Sequence, residues 1–158
     1  ITGRGYADFP TREFVRRIFR IKSDLPFFYL GDLDPYGLEI YINLLISSPL
    51  SALESHELPF LTPLGLGYRD LLPVHGPGRP IEIEGLSKLN TLLTMEIFHP
   101  KTIANPLCQF TKNMHLKLRI IERELRTMKE VGRVYEIEDI SKSTPIDEFI
   151  GQKLKQFT

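Results

Sequence analysis

The sequence has 158 residues, of which 42% are hydrophobic and 25% charged, as is typical of one compact domain with its own core. Twenty basic residues balance twenty acidic ones, so the total charge does not by itself indicate nucleic-acid binding. The single cysteine, Cys108, excludes an internal disulfide framework and a cysteine-based zinc site. The apolar runs fall short of the ~20 residues needed to cross a bilayer, so we expect no membrane partner.

The first residues, ITGRGY, contain neither an initiator Met nor a signal-peptide pattern, so we expect residues 1–158 to be a fragment of a longer protein. Positive charge is concentrated in residues 1–22, where Asp8 and Glu13 face six basic side chains: Arg4, Arg12, Arg16, Arg17, Arg20 and Lys22. A local basic face can bind phosphate even when the total charge is zero.

The first half of the chain predicts an α/β fold. TREFVRRIFRI has helical spacing after Thr11, a favourable N-cap that follows Pro10. LPFFYLG, residues 25–31, predicts a short strand buried on both faces, and a helix is expected from Gly37 to Ile46. This order predicts a parallel sheet with crossover helices, in which ligands bind at the carboxyl ends of the strands.

The second half begins with a proline- and glycine-rich segment, residues 71–80, which indicates an exposed connection. IEIE at 81–84 predicts a short strand with Glu82 and Glu84 on its polar face, and residues 85–98 predict a helix. Residues 136–158 predict a polar turn and a terminal amphipathic helix. Between these, residues 106–130 predict a long helix with a basic outer face and these side chains on its apolar side: Leu116, Ile120, Ile121, Leu125 and Met128.

Two aspartates, Asp32 and Asp34, follow the predicted strand with one residue between them. If the strand geometry continues, both side chains leave on the same side, close enough to share a divalent ion. Two carboxylates with open remaining positions suit Mg²⁺, which keeps part of its hydration shell. The alternative is a solvated loop in which one of the aspartates caps the next helix.

Two motifs resemble one known family. GDLDPYGLEI, residues 31–40, resembles the Asp-x-Asp-Pro-Tyr-Gly signature of the Toprim domain in topoisomerase VI A subunits and meiotic double-strand-break proteins. TGRGYADFPTREFVRRI, residues 2–18, resembles the same family's Thr-Gly-Lys-Gly-x-Pro-Asp…Thr-Arg segment. Residues 51–71 carry a weaker similarity. The resemblance implies a Rossmann-like α/β Toprim domain whose central, mostly parallel sheet is flanked by helices.

The resemblance also implies a function in DNA breakage. It implies that Asp32 and Asp34 hold Mg²⁺ or Mn²⁺, and that four residues of the basic segment contact double-stranded DNA: Arg4, Gly5, Arg12 and Arg16. In this family a tyrosine on a separate winged-helix domain attacks a phosphodiester, leaving a 5′-phosphotyrosyl link. The implied protein is a nuclear transesterase that initiates meiotic recombination as a homodimer, together with accessory recombination proteins and a topoisomerase VI B-like subunit.

Several departures from the family pattern bear on this expectation. The family's further metal ligand, a glutamate, and its catalytic tyrosine lie upstream of the Thr-Gly-Lys-Gly segment and would precede Ile1. We therefore expect residues 1–158 to be a Toprim-containing C-terminal domain that lacks the first Toprim strand and is inactive alone. Arg4 replaces the usual lysine, which keeps the charge and changes its geometry, and Ala7 replaces the usual proline.

Three alternatives stay open at this point. An archaeal-type topoisomerase VI A subunit would share both motifs. A haloacid-dehalogenase-like phosphatase would use Asp32 as nucleophile and Asp34 as acid/base, although Pro35 stands where that family has Thr or Val. A non-catalytic DNA-docking and dimerisation module would bind metal weakly or not at all. Tyr36, beside the aspartates, is interpreted as a packing or DNA-backbone contact.

Overall fold

The computed structural model describes residues 7–46, 57–64, 67, 68, 71, 76, 78–98 and 112–155. The elements in this part of the chain are helices and very short strands. In order they are α1 (Phe9–Ile21), β1 (Phe28–Tyr29), α2 (Pro35–Leu45), β2 (Thr62–Pro63), β3 (Arg79–Pro80), α3 (Ile83–Leu93), a 3₁₀ turn (Glu96–Phe98), α4 (Lys112–Val131), β4 (Arg133–Val134), α5 (Ile137–Ser143) and α6 (Ile146–Leu154). Nowhere in these ranges is a helix both long and apolar enough to span a membrane.

The strands form two small pairs. β1 and β2 are parallel, with Phe28 opposite Thr62, whereas β3 and β4 are antiparallel. An isolated antiparallel bridge joins Leu33, just after β1, to Tyr135, just after β4, through backbone hydrogen bonds of 2.8 and 3.0 Å. The parallel pair and the surrounding helices confirm the predicted α/β class, and the bridge brings the segments after β1 and β4 side by side.

The core lies between α2, α3 and α4, which pack against one another. The buried face of α4 repeats every three or four residues, as expected for one face of a helix: Met114, Leu118, Ile121, Leu125 and Met128. This confirms the predicted burial of Ile121, Leu125 and Met128. The prediction was wrong for Leu116, which is 60% exposed because it lies on the opposite side of the helix from Leu118.

The start of α1 differs from the prediction. The N-cap is Asp8, whose side chain accepts a hydrogen bond of 3.0 Å from the Thr11 amide, so the predicted cap at Thr11 was wrong. Hydrogen bonding to the side chain of Thr11, and then to its amide, lowers the pKa of Asp8. Pro10 therefore lies in the first turn, where its missing N–H has no intrahelical partner to lose.

The strand predicted at 81–84 was also wrong. The strand is Arg79–Pro80, and α3 begins at Ile83 with Glu82 as its N-cap. The helix predicted over 85–98 ends at Leu93 and is followed by the 3₁₀ turn. Alternation over four residues is too short to separate a strand from a helix start, and here the helix prevailed.

Two further expectations need correction. β1 is half-buried rather than buried on both faces. The C-terminal segment forms two short helices, α5 and α6, because Pro145 precedes α6 and interrupts a continuous helix.

Helix α1 is attached to the parallel pair by three aromatic rings. Phe19 stacks on Phe60 with their centroids 3.9 Å apart, and Phe27 meets both edge-on at 5.7 and 5.2 Å. These contacts hold α1 beside the strand that leads to the aspartates.

Candidate metal and nucleic-acid site

Asp32 and Asp34 flank Leu33, which is fully buried. The bridge to Tyr135 fixes Leu33 in an extended backbone, and both aspartate side chains are half-buried. Burial raises the pKa of each carboxyl, and repulsion from Asp34 raises the pKa of Asp32 further. The two negative charges therefore lie close together in a position that disfavours their ionised forms.

Each aspartate also caps a helix. Asp34 is the N-cap of α2 and accepts a 2.6 Å hydrogen bond from the Gly37 amide. Asp32 accepts a 2.8 Å hydrogen bond from the amide of Ile137, the first residue of α5. The capping of the next helix, which the sequence offered as an alternative, is therefore confirmed for Asp34, whereas Asp32 binds a helix that is distant in sequence. These bonds use Oδ1 of each carboxylate and fix its orientation.

Gly37 is required by the close approach of α2 to the aspartate backbone. A Cβ atom at this position would lie 2.3 Å from the carbonyl oxygen of Asp32, a distance that no side chain tolerates. The Tyr29 hydroxyl donates a hydrogen bond of 3.0 Å to the Gly37 carbonyl oxygen from the other side. The glycine of the Asp-x-Asp-Pro-Tyr-Gly motif thus serves to pack the turn that carries both carboxylates.

Asp34 lines an open cleft with a volume of about 500 Å³. Three segments of the chain contribute acidic side chains to its lining: Asp34, Glu82, Glu84 and Glu136. Tyr36, which is 45% exposed, also lines it. Glu82 and Glu84 were predicted on the polar face of a strand; they lie instead at the start of α3 and face this cleft.

Among the described residues that line the cleft, the positively charged one is Arg79, which no pattern in the sequence indicates. Its Nη2 pairs with Glu136 and its Nε lies 2.6 Å from Oδ2 of Asp139. The charge of Arg79 lowers the pKa of Asp32 and of Asp34, opposing the effect of burial. Glu82, Glu84 and Glu136 share one sequence signal, since acidic residues favour the N-terminal end of a helix.

The basic segment has a different character. Arg4 and Gly5 lie outside the described residues. The guanidinium of Arg12 donates to two backbone carbonyls, from Nε to Ala7 at 3.1 Å and from Nη1 to Asn43 at 2.8 Å. These bonds tie α1 to the C-terminal turn of α2, and burial lowers the pKa of Arg12. Arg16 is half-buried on α1; a DNA contact by Arg12 or Arg16 stays a prediction.

Four tyrosines have structural hydroxyl groups. Each donates to a backbone carbonyl oxygen, and burial raises the pKa of each: Tyr29 to Gly37, Tyr41 to Leu61, Tyr68 to Arg133 and Tyr135 to Gly76. A phenol with a raised pKa and an occupied hydroxyl is a poor nucleophile. Tyr36 differs because it is largely exposed.

The comparison with known families decides the assignment. The family model for the Toprim domain of the topoisomerase 6 A subunit and Spo11 matches residues 1–154. The chain belongs to this family. The resemblance inferred from the two motifs is confirmed, and with it the Toprim α/β fold.

Plant recombination proteins are among the similar sequences. The chain is 34% identical over 143 residues to "Meiotic recombination protein SPO11-1" of Arabidopsis thaliana, an alignment that covers 89% of the chain and 36% of that protein. The proteins of the same name from Oryza sativa subsp. indica and subsp. japonica are 52% identical over 40 residues, covering 25% of the chain and 10% of each relative. The chain thus spans about a third of the Arabidopsis protein.

The donor set of this Toprim domain suits a hard divalent ion. Across the described ranges, no group of three or more His, Cys, Asp or Glu side chains is arranged to hold a metal. Asp32 and Asp34 supply carboxylate oxygens, and burial raises the pKa of both. Mg²⁺ accepts such a site because it binds through one or two carboxylates and keeps several waters.

Proposed function

We propose that this chain is the Mg²⁺- or Mn²⁺-binding, DNA-binding Toprim domain of a topoisomerase VI A-like protein that makes meiotic double-strand breaks by tyrosine transesterification in the nucleus. The observation that carries the proposal is the pair Asp32 and Asp34, half-buried within the family motif and beside an open cleft. The similarity to the Arabidopsis recombination protein favours the meiotic role over an archaeal-type topoisomerase VI A subunit.

In this proposal the chain's own residues prepare the metal site. Leu33 is buried in the core and sets the spacing of the two carboxylates, while the helix amides of Gly37 and Ile137 orient them. When bound, a divalent ion supplies positive charge that neutralises a DNA phosphate and aligns the backbone for displacement. The acids of the cleft add negative potential, which favours the cation.

We assign the nucleophile to another part of the protein. Tyr29, Tyr41, Tyr68 and Tyr135 are occupied by backbone carbonyls, which supports a tyrosine from a winged-helix domain outside this sequence. We further propose that residues 1–158 are a Toprim-containing C-terminal domain that does not cleave DNA alone, and that the further glutamate ligand belongs to another part of the protein. The partners proposed are double-stranded DNA, a second copy, accessory recombination proteins and a topoisomerase VI B-like subunit.

Titration calorimetry with Mg²⁺ and Mn²⁺ tests the metal site. The Asp32→Asn, Asp34→Asn double variant is expected to lose binding, because asparagine keeps the helix caps and removes both charges. Asp147→Asn, which removes an exposed carboxylate on α6, is the matched control and should bind as the wild type does. Wild-type affinity in the double variant would place the metal elsewhere and defeat the proposal.

A non-catalytic DNA-docking module is the second candidate. It is favoured by one observation, namely that both aspartates already have a structural task as helix caps. Duplex binding that is equally strong in Mg²⁺ and in EDTA, together with an absent calorimetric signal, would support this candidate. The family match leaves the phosphatase alternative without support.

A further inference from the structure

Arg79 is the one cation among the described residues that line the cleft, where it faces four acidic side chains. Its side chain is 50% exposed although it takes part in two ion pairs. A polyanion such as DNA that enters the cleft would meet repulsion from every other charged group there. The attraction of the cleft for phosphate therefore depends on this residue.

The present partners of Arg79 can be exchanged at little cost. Glu136 and Asp139 are themselves 38% and 29% exposed, and ion pairs at such positions contribute little to stability because water and salt screen them. A guanidinium carries five N–H donors in a planar fork that matches phosphate oxygens in pairs. Arg79 can thus take up a phosphate at the cost of one buried contact, that of its Nε with Oδ2 of Asp139.

The position of Arg79 also links it to the aspartates. It lines the same cleft as Asp34, the residue two positions after Asp32, and its charge lowers the pKa of both carboxyls. A positive charge at this place attracts a phosphate to the carboxylates and repels a divalent cation from them. Its removal should therefore change the affinities for the two ligands in opposite directions, which general damage to the fold would not do.

We propose that Arg79 is the phosphate-binding residue of the cleft, and that it leaves Glu136 and Asp139 for a DNA backbone phosphate lying beside Asp32 and Asp34. The proposal rests on the proposed function in one respect, since it takes these aspartates as the metal site. The phosphate contact itself does not need the metal, so it can be measured in EDTA as well as in Mg²⁺.

The test compares three variants of the chain. Arg79→Gln removes the charge, Arg79→Lys keeps it and loses the fork, and Lys142→Gln is the matched control. Lys142 lies 2.7 Å from the same Asp139, is 75% exposed and does not line the cleft. Fluorescence anisotropy gives the affinity for a duplex oligonucleotide over a range of salt concentrations, and calorimetry gives the affinity for Mg²⁺.

Arg79→Gln is expected to bind DNA several-fold more weakly, with a salt slope lower by about one unit, and to bind Mg²⁺ several-fold more tightly. Arg79→Lys should keep the Mg²⁺ affinity and lose part of the DNA affinity. Lys142→Gln should change neither. Matching circular dichroism spectra and melting temperatures establish that the variants are folded.

The proposal is overturned if Arg79→Gln has the wild-type DNA affinity and salt slope, if Lys142→Gln loses as much, or if the wild-type chain binds no duplex. Should Arg79→Gln not fold, Arg79→Lys decides: weaker DNA binding supports the proposal and unchanged DNA binding overturns it. Failure of the metal site is a separate result, seen as wild-type Mg²⁺ affinity in the Asp32→Asn, Asp34→Asn variant.

Discussion

The acidic cleft and helix α1 both carry dense charge, but the protein stabilises the two regions differently. Burial raises the pKa of Asp34, which lines the cleft, and of its neighbour Asp32, and the acidic side chains lining the cleft outnumber Arg79. On α1, Arg12 donates to two backbone carbonyls and Arg17 pairs with Glu13 at 3.0 Å. Charge density in the sequence therefore does not by itself separate the candidate site from a helix whose charges are paired within the protein.

Gly37→Ala should disrupt the turn that holds the two aspartates. The added Cβ would lie 2.3 Å from the Asp32 carbonyl oxygen, so the backbone must move. We expect a loss of roughly 1–3 kcal/mol in the free energy of unfolding, as for other overpacked sites, and weaker Mg²⁺ binding. Denaturant unfolding and calorimetry measure the two effects.

Gly151→Ala is the matched control for this substitution. Gly151 lies within α6, and a Cβ there meets nothing within 4 Å. The control should be neutral or more stable by about 0.5–1 kcal/mol, because alanine favours the helix. Equal stability of the two variants would mean that the Gly37 approach does not constrain the site.

Arg12→Ala tests how helix α1 is held in place. It removes two hydrogen bonds from a charged group to the carbonyls of Ala7 and Asn43, at a cost of about 1.5–3 kcal/mol. Arg17→Ala removes only a pair in which Arg17 is 71% exposed, and should cost about 0.5 kcal/mol or less. Thermal unfolding that ranks the two variants equally would show that α1 is not fastened through Arg12.

The smallest expected effect comes from Asp34→Asn. The folded-state pKa of Asp34 lies above the ordinary value of 3.8, so the ionised group opposes folding at neutral pH. That cost falls as the pH drops through the folded pKa and is absent below the ordinary value. In the absence of metal, the variant should therefore melt a few degrees higher than the wild type at pH 7.5, and the advantage should shrink at pH 4.5.

Saturating Mg²⁺ should reverse this order, because only the wild type gains stability from binding the ion. The measurement is a set of thermal melts at both pH values with and without Mg²⁺. A variant that is less stable than the wild type at pH 7.5 without metal would mean that the Asp34 charge is compensated within the fold.

The local parts of the site could be predicted from the sequence. Asp32, Asp34 and Gly37 lie within one short motif, and the helix that follows them is encoded by the same residues. The N-cap of α1 shows the limit of local signals, since Asp8 and Thr11 are both favourable caps and the position of Pro10 decides between them.

The rest of the cleft could not be predicted because its members are distant in sequence. The hydrogen bond from Ile137 to Asp32 spans 105 residues. Arg79 lies in β3, whereas its partner Glu136 follows β4, the strand paired with β3. The periodicity of hydrophobic residues predicts local helices and strands, and it does not indicate which distant segments contact each other. Nothing in the segment 79–84 distinguishes side chains that line a cleft from those that face solvent.

The bridge between Leu33 and Tyr135 has a consequence for biosynthesis. The segment that steadies Asp32 is made about a hundred residues later than the aspartate itself, so the loop between them must close before the cap at Asp32 is complete. A nascent chain therefore carries the whole motif for about a hundred residues of synthesis before the cap at Asp32 can form. Premature termination ahead of β4 would yield a protein whose signature is intact and whose Asp32 carboxylate lacks its orienting hydrogen bond.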